Sequence, residues 1–184
     1  MHFLNLLLIG FGLISLQGVR AEDRSLKFPS PDGRFAVRLE KEGTPDGPGM
    51  TTLKLVDRNS GEDVMELDSL GHPHINGVKG YWSPDSQRLA LLSPDRRGGW
   101  TNLFVRKGDT FEKVDLPEMP PLKVVGHHAD SKTTIAARVP LRWTGLRTLL
   151  IRHETEDDNG ASAKAEVEIR FDAKNKVTAV PAKK

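Results

Sequence analysis

The sequence predicts an all-β protein assembled from about three small antiparallel sheets in tandem. Three observations carry this. Short apolar alternations recur along the chain. Twelve prolines and 17 glycines are spread between them, which disfavours long helices. One turn segment, followed by the same order of strands, occurs twice, with a fainter third copy.

The chain opens on a different pattern. Phe3 to Leu16 is an apolar run broken by Asn5, two glycines and Ser15. Val19 and Ala21 fit the −3 and −1 positions of a signal-peptidase site. Residues 1–21 therefore read as a signal-peptide helix, and 22–184 as a single mature domain. The n-region departs from the usual pattern, with His2 and the amino terminus in place of Lys or Arg. The run is shorter than the roughly 20 residues a spanning helix needs, so no stable membrane span is expected after cleavage. The expected location is the periplasm or the secreted fraction. The chain has no cysteine, so neither a disulfide nor a lipidated cysteine enters the account. Lys plus Arg number 27 and Asp plus Glu 25, interspersed without a sustained basic face, which gives no support to a nucleic-acid partner.

The strands follow in order. Arg34 to Glu40 places Phe35, Val37 and Leu39 on one face. Thr51 to Val56, a turn at Asp57 to Gly61, and Glu62 to Leu67 read as a hairpin. The order returns in Arg88 to Leu92, Trp100 to Arg106, a tight turn at Gly108-Asp109, and Thr110 to Val114. The third copy is Arg147 to Arg152, an acidic loop from Glu154 to Gly160, Ala165 to Phe171, a turn, and Lys176 to Val180.

Ser30-Pro31-Asp32-Gly33 and Ser83-Pro84-Asp85 anchor the first two copies, and Ser30 and Ser83 lie 53 residues apart. In such a turn proline presets φ, aspartate bonds neighbouring amides, and glycine accepts the positive φ that redirects the chain. Phe28-Pro29-Ser30-Pro31-Asp32-Gly33-Arg34-Phe35 and Trp82-Ser83-Pro84-Asp85-Ser86-Gln87-Arg88-Leu89 resemble WD40-like, TolB-type β-propeller repeats. The resemblance implies propeller-like units at about 28–80, 81–140 and 141–180. Ser86 replaces the second glycine, and the third anchor, Trp143-Thr144-Gly145, lacks Pro-Asp. Closed propellers have 4–8 blades, so three units imply a partial, open array. Two end faces would then expose apolar surface. Pairing of two copies into a six-unit ring, or capping by Leu116 to Val139, would cover them. A β-sandwich with coincidental repeats is the competing fold.

No cofactor is implied, and no complete catalytic motif is present. The leading expectation is an exported, non-enzymatic binding or scaffold protein with a protein partner. Trp100, following Gly98-Gly99 near a hairpin tip, is the candidate surface platform; Trp82 and Trp143, each before a turn, read as core wedges. The alternative is a metal-binding protein or metal-dependent enzyme. It would draw on His72, His74, His127 and His128, which fall between repeats, because zinc favours imidazole. The loop Glu154 to Gly160 lacks the ligand spacing of a calcium loop and reads as a polar hairpin tip. Ser162 lacks the second glycine of a nucleophile elbow.

Overall fold

The computed structural model describes residues 26–42, 49–71, 74–95, 98–124 and 132–183. The expected signal segment lies outside them. The described chain is all-β: three four-stranded antiparallel sheets, each made of strands consecutive in sequence. The first holds β1 (Leu26–Lys27), β2 (Phe35–Glu42), β3 (Met50–Asp57) and β4 (Asp63–Gly71). The second holds β5 (Lys79–Trp82), β6 (Arg88–Asp95), β7 (Gly98–Lys107) and β8 (Thr110–Val114). The third holds β9 (Thr133–Trp143), β10 (Thr148–Asp157), β11 (Ser162–Phe171) and β12 (Val177–Pro181). A 3-10 turn, His74–Gly77, precedes β5.

Each sheet starts one strand before its anchor turn. Leu26 pairs with Arg38, Trp82 with Leu89, and Trp143 with Leu149. The turn closes an antiparallel hairpin, so both arms belong to the same sheet. Thr133 to Val139 consequently lies in β9, rather than in a covering segment. Leu116 does pack on the core from an irregular connection, beside the buried Met119.

The second sheet is the middle layer. Leu89 and Leu91 face Phe35, Val37, Leu53 and Leu55 of the first sheet. Ala90, Leu103 and Val105 face Leu149, Ile151, Val167 and Ile169 of the third. Burial on both faces explains why β6 reads as a continuous apolar run, where β2 alternates.

The two outward faces are charged, contrary to the expectation of exposed apolar ends. On the first sheet, Arg38 pairs with Glu40 and Asp63, and Lys54 pairs with the same two carboxylates. On the third, Arg152 pairs with Glu154 and Arg170 with Glu168. These side chains alternate with the core residues along their strands, so they occupy the opposite face.

A repeated tie joins the layers. The Trp82 indole N–H donates to the Phe28 carbonyl at 2.8 Å, and Trp143 donates to the Tyr81 carbonyl at 2.9 Å. Each tryptophan thus reaches back to the residue two before the preceding anchor serine. Phe28 takes a φ of 52°, and a Cβ added at Gly80 would sit 2.8 Å from its side chain. Glycine at position 80 gives that ring its space.

Candidate functional site

The antiparallel order sends successive connections to alternate ends of the stack. One end carries the anchor turns. There Ser30 Oγ donates to Asp32 Oδ1 at 2.5 Å and accepts the Phe35 amide at 2.9 Å, while Asp32 Oδ1 also accepts the Arg34 amide at 3.1 Å. Ser83 repeats this geometry with Asp85 at 2.5 Å, the Arg88 amide at 2.9 Å and the Gln87 amide at 3.2 Å. Pro31 and Pro84 are exposed on these turns, and Ser30 and Ser83 are buried. Gly33 and Ser86 share the left-handed region, at φ of 73° and 58°. Serine bears the cost there because its hydroxyl accepts the Asp32 amide at 2.9 Å, linking the first two anchors. At the third anchor the Thr144 amide bonds the Thr148 carbonyl, closing a turn one residue shorter.

Arginines close both sheet junctions at this end. Arg106 lies 4.8 Å over the Phe35 ring and 3.4 Å from Asp32. Burial alone would raise the Asp32 carboxyl, but Ser30, the Arg34 amide, Arg106 and Ser86 together hold it below the usual carboxylate range. Arg88 lies 5.2 Å over Phe171 and donates to Leu146 O at 3.1 Å and Asn175 Oδ1 at 2.7 Å. These groups hold the layers together. Asp32→Ala and Asp85→Ala should each destabilise the fold by about 1 kcal/mol, the usual scale for a lost hydrogen bond. A urea titration in which both variants unfold with wild type would remove that role.

The opposite end presents side chains differently. Ser93 of β6 and Asn102 of β7 both donate to Asp68 Oδ2 of β4, the amide at 3.1 Å. Asn102 also donates to Ser93 Oγ at 3.0 Å, and Asp68 Oδ1 accepts the Ser69 amide at 2.9 Å. This cluster closes the junction between the first two sheets. Trp100 lies two residues from Asn102 on the same face of β7, about 7 Å along the strand. It is 45 % exposed, and its indole N–H donates to Asp95 Oδ2 at 3.1 Å. The ring is therefore held in place without being covered.

The third sheet adds a cleft at this end, about 290 Å³ in volume, lined by Leu122, Val124, Thr133, His153, Thr155 and Asp157. Burial, then the charge of Arg138, pushes the His153 imidazole below its ordinary pKa, while the Pro120 carbonyl opposes them. Asp157 Oδ1 accepts the amides of Asn159 at 3.0 Å and Ala161 at 2.9 Å, organising the acidic hairpin tip. Ser162 is exposed at the start of β11, opposite Glu156. His72, His127 and His128 lie outside the described residues, as does the side chain of His74. Among the described residues no group of three or more His, Cys, Asp or Glu is placed to hold a metal ion.

Sequence reasoning singled out Trp100 through its place beside a glycine pair at a hairpin tip. It missed Asp68, Ser93 and Asn102, which sit on three different strands and share no spacing signature.

No protein-family model matches the chain, and no curated protein matches it. Among solved structures, the apo form of the AtxE2 isopeptidase is similar, with a TM-score of 0.43 and 14% sequence identity. The likeness covers 86% of this chain and 28% of that one, so this chain spans less than a third of that protein's length.

Proposed function

We propose that the chain is an exported binding protein whose sheets act as three WD40-like, TolB-type propeller blades, and that a protein partner docks around Trp100. The observation that carries the binding reading is Trp100 itself. A half-exposed indole pinned by Asp95 offers a large apolar face at little conformational cost, and tryptophan is enriched among residues that dominate binding energy. The blade reading is supported by the three consecutive four-stranded meanders, the repeated Ser-Asp turn geometry and the repeated tryptophan-to-carbonyl tie. Export rests on the apolar run from Phe3 to Leu16 followed by Val19 and Ala21. The charged outward faces favour a stack that works as one chain over a closed two-copy ring.

Trp100→Ala should unfold within about 0.5 kcal/mol of wild type, as expected for an exposed site. The same variant should lose roughly 2 kcal/mol or more of affinity for the partner captured from the cell envelope by the mature wild-type protein. Equal capture by the two proteins at equal stability would overturn the docking site.

A further inference from the structure

We propose that the surface around Trp100 receives an arginine side chain of the protein partner, with its guanidinium stacked on the indole and bonded to Asp68 and Asn102. This deepens the docking site proposed above, and it rests on that reading for the partner being a protein.

Trp100 and Asn102 share one face of β7, about 7 Å apart along the strand. The indole is 45 % exposed and its N–H is spent on Asp95, so what it offers a guest is its π face. Asn102 spends its amide group on Asp68 Oδ2 at 3.1 Å and on Ser93 Oγ at 3.0 Å, which leaves its carbonyl oxygen as an acceptor. Asp68 reaches this face from β4, across the junction of the first two sheets.

The charge of Asp68 decides the guest. Its carboxylate meets the Ser93 hydroxyl, the Asn102 amide and the Ser69 backbone N–H, all neutral, and no cation among the described residues. Glu40, Asp57 and Asp63 of the same sheet each meet an arginine. Asp68 is also half-buried, so its charge is screened less than one in open water. An anion would be repelled, and a neutral aromatic would dehydrate the carboxylate without answering it. A lysine ammonium is a compact, strongly hydrated point charge, which serves the carboxylate or the ring. A planar guanidinium lies flat on an indole and still directs N–H donors within its plane to oxygens beside it. Lys41 is exposed at the end of β2, while Arg96 and Arg97, in the β6–β7 turn, lie outside the described residues, as does the side chain of His74. Their charges oppose a cation at long range, where salt screens them beyond about 8 Å, whereas Asp68 acts at contact.

The test titrates the isotope-labelled mature protein with acetyl-Gly-Arg-Gly-amide, its lysine and citrulline counterparts, and methylguanidinium. The pH is held at about 7.5, where imidazoles are mostly neutral. The Trp100 indole N–H and the Asn102 side-chain amide are followed by NMR. The arginine peptide should saturate both shifts at millimolar concentration. The lysine peptide should bind several-fold more weakly, and citrulline, which keeps the shape and loses the charge, should give no response. Asp68→Asn should weaken the arginine response at least tenfold. Should that variant fail to fold, Trp100→Leu, which leaves the carboxylate in place, should weaken the Asn102 response several-fold. Replacing Arg96 and Arg97 together with glutamine should leave binding as tight or tighter. Equal binding of citrulline would overturn the proposal, as would full binding by the folded Asp68 or Trp100 variant, or lost binding in the double glutamine variant. Lysine bound as tightly as arginine would overturn the guanidinium, and tighter binding of methylguanidinium than of the peptide would overturn a protein side chain. No partner protein enters this titration. A silent titration with capture still lost in Trp100→Ala overturns the arginine and leaves the docking site. A saturating titration with equal capture overturns the docking site and leaves the guanidinium contact.

Discussion

Replacing Trp82 with alanine is expected to cost about 3–5 kcal/mol, the range for truncating a large aromatic in a packed interior. The side chain stacks at 6.5 Å on Phe35 and meets the edge of Phe111 at 5.8 Å, so its loss opens the junction between the first two sheets. It also strands the Phe28 carbonyl, which accepts the indole N–H at 2.8 Å. Trp82→Phe separates the two contributions. It keeps most of the ring packing and should cost about 1–2 kcal/mol, near the value of the hydrogen bond with a small void. Urea unfolding of the three proteins gives the comparison. An alanine variant as stable as wild type would show that the inter-sheet tie contributes nothing.

Arg88→Ala should cost about 3 kcal/mol, at the lower end of what removing one member of a buried polar pair costs. The Arg88 side chain is only 6% exposed, and burial pushes its pKa down while Asp85 pulls it back up. Removal uncovers the Phe171 ring and leaves Asn175 Oδ1 and the Leu146 carbonyl without this donor. Arg88→Met refills part of the volume without supplying those hydrogen bonds, so it should recover roughly half the loss if packing and polar contacts matter alike. Denaturant titration reads both. Identical midpoints for wild type and the alanine variant would mean that the second and third sheets are held by their apolar layer alone.

Much of the layer order was legible from the strands. Leu89 to Leu92 runs apolar without alternation, as a strand buried on both faces must, and β6 is the core of the middle sheet. Phe35, Val37 and Leu39 alternate with Arg38 and Glu40, the mark of a sheet with one face in water. The starts of the sheets were harder to read. β1 has only two residues, too few for periodicity, and the beginning of β9 follows a proline-rich connection with no sharp pattern. Trp100 stood out locally. Ser93 and Asn102 meet within the β6–β7 hairpin, but Asp68 joins them only because two sheets stack, and a contact made across layers leaves no trace in sequence spacing. The cleft is hidden for the same reason, since Leu122 and Val124 come from irregular chain and the rest from β9 and β10.

The ion pairs on the outward faces also govern how this molecule behaves in a crowd. Layered units with bare, complementary ends are the raw material of filaments, because a head-to-tail contact that does not close repeats indefinitely. Joining the first sheet of one copy to the third sheet of another would strip water from Arg38, Glu40, Lys54 and Asp63 on one side. On the other it would strip Arg152, Glu154, Glu168 and Arg170. Desolvating paired charges is expensive, and all eight are already matched within their own sheet. Any end-to-end contact along the stacking axis would have to offset that loss of hydration before it could repeat.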